Sequence, residues 1–335
     1  MSFIKYHNQD LTKISFLVTG GAGFIGSNLV EYLVKSGSKM VRVMDNLSTG
    51  SYSNIIHLEQ YSNFEFTKSD IRNIDECHSM VKDVDIVFHQ AALGSVPRSI
   101  IDPITTNNVN ITGFLNMLIA SKDAGIKRFI YAASSSTYGD SKEMPKVEDV
   151  IGKPLSPYAI TKYVNELYAD VFAKTYGLES IGLRYFNVFG RRQNPEGAYA
   201  AVIPKFVINL IQHQPILING DGEYSRDFTY IENVIQANIL SALTTNKDAL
   251  NTVFNVAFGE RNTLNQLTNY LIKCLSAYDS EIGKAQIQHG ANRLGDIPHS
   301  LASIEKAKHV LNYNPQFDLN SGLQHVVKWY WENLH

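Results

Sequence analysis

The sequence predicts an α/β fold: a doubly wound parallel sheet, followed by a smaller mixed α/β lobe toward the C-terminal end. Two observations carry that expectation. Short, continuously apolar runs alternate with longer stretches of helical period over roughly the first half of the 335 residues, and strands covered on both faces read this way. A set of closely spaced glycines also follows the first apolar run directly and precedes the first helical stretch, which marks a tight strand-to-helix turn.

Taken in order, "ISFLVTG" forms the first strand and 24–35 the first helix, and "MVRVMD" forms the next strand. A further strand ends at "SDI", residues 69–71. "VDIVFHQ" then leads into a helix over 103–124, "RFIYAAS" into a helix over 157–176, and "SIGLRYF" closes the series. After Phe186 the pattern changes to "NVFGRRQNPEGAYAAVIPKF", a glycine-bearing loop before a helix, and then to mixed short elements. The expected division is therefore 1–185, with a return of the chain near 228–257, and 186–335.

The length permits a large core and more than one lobe. Hydrophobic residues make up 44% and charged residues 19%, which excludes the disordered and fibrous classes. A formal charge of -2, without a dense run of Lys and Arg, leaves no footprint for nucleic acid or a membrane surface. Cys77 and Cys274 are the only cysteines, so neither a disulfide framework nor a metal site is expected, and a reducing cytoplasm fits best. The start, "MSFIKYHNQDLTKIS", has no apolar region of the signal-peptide kind, and no apolar stretch reaches about 18 residues.

"FLVTGGAGFIGSNLVEYL" supplies Gly20, Gly23 and Gly26. Glycines at this spacing let the backbone turn tightly and approach a pyrophosphate, whose charge is favoured by the amides and dipole at the helix start. The next strand ends in "VMDN", which places Asp45 nineteen residues after Gly26. A carboxylate there accepts hydrogen bonds from the adenosine ribose and repels a 2'-phosphate, so the expected cofactor is NAD rather than NADP. The first unit reads as a Rossmann-type domain. Asp70 ends a later strand within reach of the adenine.

"YAASSSTYG", 131–139, ends another strand with three serines, and "SPYAITK" sets Tyr158 four positions before Lys162. That spacing alone describes any helix face. With parallel strands, however, the serine run and the start of the 157–176 helix both border the nicotinamide end. A free tyrosine has a pKa of about 10; a nearby ammonium and a nicotinamide cation both favour its phenolate. Lys162 can supply the first charge, and a serine hydroxyl can share the substrate proton.

Together, the glycine motif, the serine run and the Tyr158/Lys162 pair resemble the extended short-chain dehydrogenase/reductase family, in its nucleotide-sugar epimerase branch, nearest the bacterial UDP-N-acetylglucosamine 4-epimerases. The resemblance spans nearly the whole chain. It implies catalysis by Ser134, Tyr158 and Lys162, with Ser135 an alternative serine. It also implies NAD contacts by Phe24, Ile25, Asn46, Gly50, Ile71, Gln90 and Ala92, besides the glycines, Asp45, Asp70, Tyr158 and Lys162. The diphosphate and uridine would be held by Asn187, Arg226, Arg293 and Asp296, with Val202 over the uracil. A homodimer through segments 103–124 and 157–176 is implied as well.

Related 4,6-dehydratases carry Thr, Asp and Glu where this chain reads "SSSTYG". Without that acid/base pair, elimination has no obvious catalyst, and inversion at carbon 4 through a 4-keto sugar is the expected reaction. "RLGDIPHSLAS" puts Ser300 where galactose-restricted relatives have a bulky tyrosine, and Gly94 in "GSVPRS" stands where they have a lysine. Room for a 2-acetamido group follows, with Ser95, Ser135 and Ser136 lining the sugar pocket. The implied activity is reversible 4-epimerisation of UDP-N-acetylglucosamine to UDP-N-acetylgalactosamine, in polysaccharide supply. Its competitors are UDP-glucose/UDP-galactose epimerisation and a non-catalytic NAD-sensing protein. Ser303 replaces an Asp common among relatives, and both residues can cap a helix.

Overall fold

The computed structural model describes residues 4–195, 201–291 and 298–334. Seven strands form its central sheet: β1 (Ser15–Thr19), β2 (Met40–Asp45), β3 (Phe64–Lys68), β4 (Ile86–His89), β5 (Arg128–Ser134), β6 (Ser180–Tyr185) and β7 (Thr252–Val256). All neighbours are parallel, in the order β7-β6-β5-β4-β1-β2-β3. Side chains alternate across the sheet as a strand requires. Phe16 and Val18 of β1 enter one apolar cluster, and Leu17 enters the other.

One face is covered by α1 (Phe24–Lys35), and the other by α2 (Ile74–Met80), by the chain from α3 (Val96–Ile101) and α4 (Pro103–Asn107) to α5 (Gly113–Asp123), and by α6 (Pro157–Tyr176). Between β1 and β4 the winding reverses. The carboxyl ends of the strands there splay their following loops apart and leave a crevice.

A further part of the chain contributes α7 (Val202–Ile211), α8 (Ile231–Leu243), α9 (Leu264–Leu275), α10 (Glu305–Leu311), α11 (Leu319–Leu334) and a parallel ribbon of Ile216–Asn219 with Ile287–Gly290. The chain does not stay on one side of residue 186: α8 packs on the α1 face of the sheet, and β7 pairs with β6 at its edge. The apolar cluster of α1 continues without a break through Phe206, Leu267 and Tyr330. Among the described residues, no helix is long and apolar enough to cross a membrane.

The helix expected over 103–124 runs from Pro103 to Asp123 and widens in its middle. A π-turn at Asn108–Thr112 separates α4 from α5, and such wide turns reorient a side chain. Here it swings Asn110 inward, where the amide accepts from Leu93 N at 2.8 Å and donates to Leu93 O at 3.2 Å. Gly113 follows because a Cβ at that point would stand 2.5 Å from Ile71 Cδ1. By contrast, α6 begins where its sequence says it should. The Ser156 hydroxyl accepts from Ala159 N at 3.1 Å, Pro157 occupies the first helical position, and Gly177, at φ +72°, ends the helix.

Candidate active site

The crevice at the β1/β4 reversal holds a cavity of about 520 Å³, and a second of about 280 Å³ adjoins it. Asn187, Val188 and Gln193 line both. Gly20, Gly23, Phe24, Ile25 and Gly26 form one wall of the first. Gly20 sits at φ +67°, and a Cβ on it would lie 2.7 Å from Ala91 Cα. On Gly26 a Cβ would lie 2.1 Å from Gly20 O. The backbone is therefore bare where it must both turn and pack, with the start of α1 aimed at the cavity.

Asp45, at the end of β2, lines the same cavity and is 8% exposed. Its carboxylate accepts from Ala22 N at 3.0 Å and Leu47 N at 2.8 Å, while burial pushes its pKa up. Each oxygen keeps a lone pair for a ribose hydroxyl. Gly50 lies behind this carboxylate rather than on the cavity wall, since a Cβ there would stand 3.0 Å from Asp45 Oδ2. Asn46 donates to Asp70 at 2.9 Å, and the Arg72 side chain holds the Asp70 carboxyl down at about 2. Ile71, Gln90 and Ala92 complete this side. Gln90 is gripped by Tyr185 and Asn238 at 3.1 Å each. This donor set and bare backbone fit a dinucleotide with a free adenosine ribose.

At the opposite end, Ser134, Ser135, Tyr158 and Lys162 meet on the cavity wall. The Ser134 hydroxyl, where β5 ends, accepts from Ser136 Oγ at 2.8 Å and Ser136 N at 3.2 Å. Lys162 is 2% exposed and donates to Ala132 O at 2.7 Å. Burial lowers its pKa to about 8, against the pull of Glu166 one turn further along α6. Tyr158 departs from expectation. Burial raises its phenol above the ordinary value, opposed by a hydrogen bond with Ser134. The reason is desolvation: the protein removes water from the phenol while Lys162 donates to a carbonyl, so the spacing of the two residues along α6 does not by itself acidify the phenol.

The remaining expected residues divide by position. Val202 and Arg226 line the second cavity beside Tyr224 and Phe228, and Arg226 donates to Ser225 O at 3.0 Å. Asn187, at φ +34°, donates to Asp227 O at 2.9 Å. Ser95, Ser136 and Ser300 stand off the cavity walls. Ser95 caps α3 by accepting from Arg98 N at 3.2 Å, and Ser300 N is tied to Ser225 O at 3.0 Å. Arg293 and Asp296 lie outside the described residues.

Four residues given no individual role from the sequence also shape the site. Ser99 Oγ accepts from Tyr158 N at 3.0 Å and so fixes the start of α6 from a neighbouring helix. Asn110 holds the 90–94 loop and donates to Thr161 at 3.1 Å. His89, pushed down to about 3 by burial and then by Lys162, bonds Thr19 at 3.0 Å beneath the site. Gln193 donates to Val188 O at 3.1 Å, and its buried Oε1 has no partner among the described residues. An orphaned acceptor where two cavities join is a signal that only the fold reveals.

The model of the NAD dependent epimerase/dehydratase family matches residues 16–257. A putative UDP-glucose 4-epimerase of Methanocaldococcus jannaschii is 35% identical over 93% of this chain and 97% of its own length. A UDP-N-acetylglucosamine 4-epimerase of Methanobrevibacter ruminantium, solved with UDP-N-acetylmuramic acid, is 40% identical over 96% of this chain and 99% of that one, with a TM-score of 0.88. A UDP-glucose 4-epimerase of Thermus thermophilus, solved with NAD, is 30% identical over 95% of this chain and 99% of that one, with a TM-score of 0.83.

Proposed function

The chain belongs to the NAD dependent epimerase/dehydratase family, and from that premise we propose that it interconverts UDP-N-acetylglucosamine and UDP-N-acetylgalactosamine by inversion at carbon 4. The observation that carries this reading is the meeting of Tyr158 with Ser134 on the cavity wall, in a serine turn without a carboxylate. That arrangement supports removal and return of one proton rather than elimination of water. NAD, when bound, supplies the hydride acceptor and donor for carbon 4.

The chain's own residues do the rest. Tyr158 takes the proton from the 4-hydroxyl oxygen and gives it back, Ser134 shares that proton, and the Lys162 charge favours the phenolate. Arg226 and Asn187 hold the diphosphate and Val202 covers the uracil, with Arg293 and Asp296 proposed for the same task. Residues 1–185 with 228–257 serve as the cofactor half, and the remainder of 186–335 as the sugar-nucleotide half. Ser300, off both cavity walls but tied to Ser225 next to Arg226, is the residue proposed to leave room for the acetamido group. The 40% identity to a UDP-N-acetylglucosamine 4-epimerase supports that choice, whereas the relatives named for UDP-glucose support UDP-glucose/UDP-galactose as a second substrate pair. Pairing of two copies is supported by exposed apolar side chains on α3, α4 and α6: Ile100, Ile101, Ile104, Ile160, Leu167 and Val171.

The test is a product assay by proton NMR on UDP-N-acetylglucosamine and UDP-glucose, with Tyr158→Phe alongside. The expected result is interconversion of the acetylated sugar, lost in the variant. Turnover of UDP-glucose alone would transfer the assignment to the second pair. No product from any UDP-sugar with NAD-loaded protein would leave an NAD-binding protein without turnover.

A further inference from the structure

Residues 299–303, which carry Ser300, belong to no helix or sheet, so their place is set by the groups that grip them. Three backbone hydrogen bonds do part of this, Ser300 N to Ser225 O at 3.0 Å, Lys146 N to Leu301 O at 2.8 Å and Ser303 N to Lys146 O at 2.8 Å, and Ser225 Oγ bonds His299 Nδ1 at 2.9 Å beside them. Two fully buried side chains complete the grip. Asp227 accepts from Ala302 N at 3.3 Å, and Asn255 donates to Ser303 O at 3.0 Å.

The same two residues also reach the substrate site, Asn255 through its side chain and Asp227 through its backbone carbonyl. Asn255, on β7, accepts from Tyr138 OH at 2.7 Å, and Tyr138 closes the turn that begins with the catalytic serine run. Its second amide hydrogen goes to Lys146 O at 3.0 Å. Asp227 accepts from Phe258 N at 3.1 Å and from Gly259 N, while its own carbonyl receives Asn187, which faces both cavities. A buried amide with three partners in three segments, and a buried carboxylate with three amide donors, leave those segments a single mutual arrangement.

We propose that Asn255 and Asp227 are positioning residues for sugar selection, a two-point clamp that fixes the Ser300 segment against the Ser134–Ser136 turn and against Asn187. The proposal rests on the reading of Ser300 as the residue that makes room for the acetamido group. Neither clamp residue touches the substrate cavities; both act through what they hold. A purely structural role would lower stability and depress both substrates alike. A clamp changes selectivity, because discrimination is the ratio of two kcat/KM values and depends on how the segments around the substituent are placed.

The experiment measures kcat/KM for UDP-N-acetylglucosamine and for UDP-glucose in the wild type, Asn255→Ala, Asp227→Asn and Ser300→Tyr, each as NAD-loaded protein with circular dichroism and a melting curve. In Asn255→Ala the ratio of acetylated to plain sugar should fall by roughly fivefold, the effect of one misplaced hydrogen bond. Asp227→Asn, which keeps the side-chain volume and stands in where the alanine variant does not fold, should move the ratio in the same direction. An unchanged ratio in the folded variants, whatever the loss in absolute rate, overturns the clamp. Ser300→Tyr separates the two failures. If it leaves the ratio unchanged, the size gate falls and the clamp with it; if it shifts the ratio and Asn255→Ala and Asp227→Asn do not, only the clamp falls.

Discussion

Lys162→Met separates what the buried ammonium does for chemistry from what it does to the fold. Burial brings the Lys162 pKa from 10.5 to about 8, and at about 1.4 kcal/mol per unit the charged form is disfavoured in the folded state by roughly 3 kcal/mol. The sign follows from linkage. Below pH 8 the folded and unfolded chains both hold the proton, and the full penalty applies. Between about 8 and 10.5 the unfolded chain holds it and the folded chain does not, so wild-type stability rises with pH across that window. Methionine has no proton to lose. The stability of cofactor-free wild type relative to Lys162→Met should therefore increase by roughly 2 kcal/mol between pH 7 and pH 9.5, as measured by urea unfolding with both proteins in the same buffers. Loss of the bond to Ala132 O is common to both pH values and cancels. Catalytic activity should vanish in the variant, and in the wild type it should decline above about pH 8 as the ammonium is lost. A stability difference that stays flat across the window would refute the argument, since it would mean that Lys162 keeps its ordinary proton affinity.

Gly26→Ala would drive a methyl group to 2.1 Å from Gly20 O; about 1–3 kcal/mol of overpacking and loss of copurifying NAD are expected, read by melting and by nucleotide released on denaturation. Ser156→Ala removes the cap of α6 and should lower stability by about 1 kcal/mol in urea. Breaking the buried Glu166–Arg184 pair, 2.7 Å apart, by Arg184→Met should destabilise by about 3–5 kcal/mol, and adding Glu166→Gln should recover much of that loss. A double variant no better than the single would show that the stranded charge is not the source of the penalty.

The features legible in the sequence are those whose partners are close along the chain. Gly20 and Gly26 constrain one another across six residues, and Ser156, Pro157 and Gly177 mark the ends of α6 by local rules of capping. Strand alternation and helix period likewise need only neighbouring residues, so the parallel sheet and the dinucleotide crevice at its reversal could be read directly. The π-turn could not. Its inward Asn110 answers to Leu93 and Thr161, and nothing within the segment 103–124 announces them.

The same limit explains the residues missed and the one whose surroundings could not be read. Asn255 meets Tyr138 across 117 positions, Ser99 meets Tyr158 across 59, and the orphaned oxygen of Gln193 acquires meaning only when two cavities join beside it. For Tyr158, the sequence places the residue but not its environment: spacing puts an ammonium one turn away, but only the packed structure decides that water is excluded from the phenol and that Lys162 points at Ala132 O. Backbone geometry and periodicity are local properties, and the sequence determines them by itself. Desolvation and long-range hydrogen bonding depend on which distant segments share a neighbourhood, and tertiary structure alone decides that.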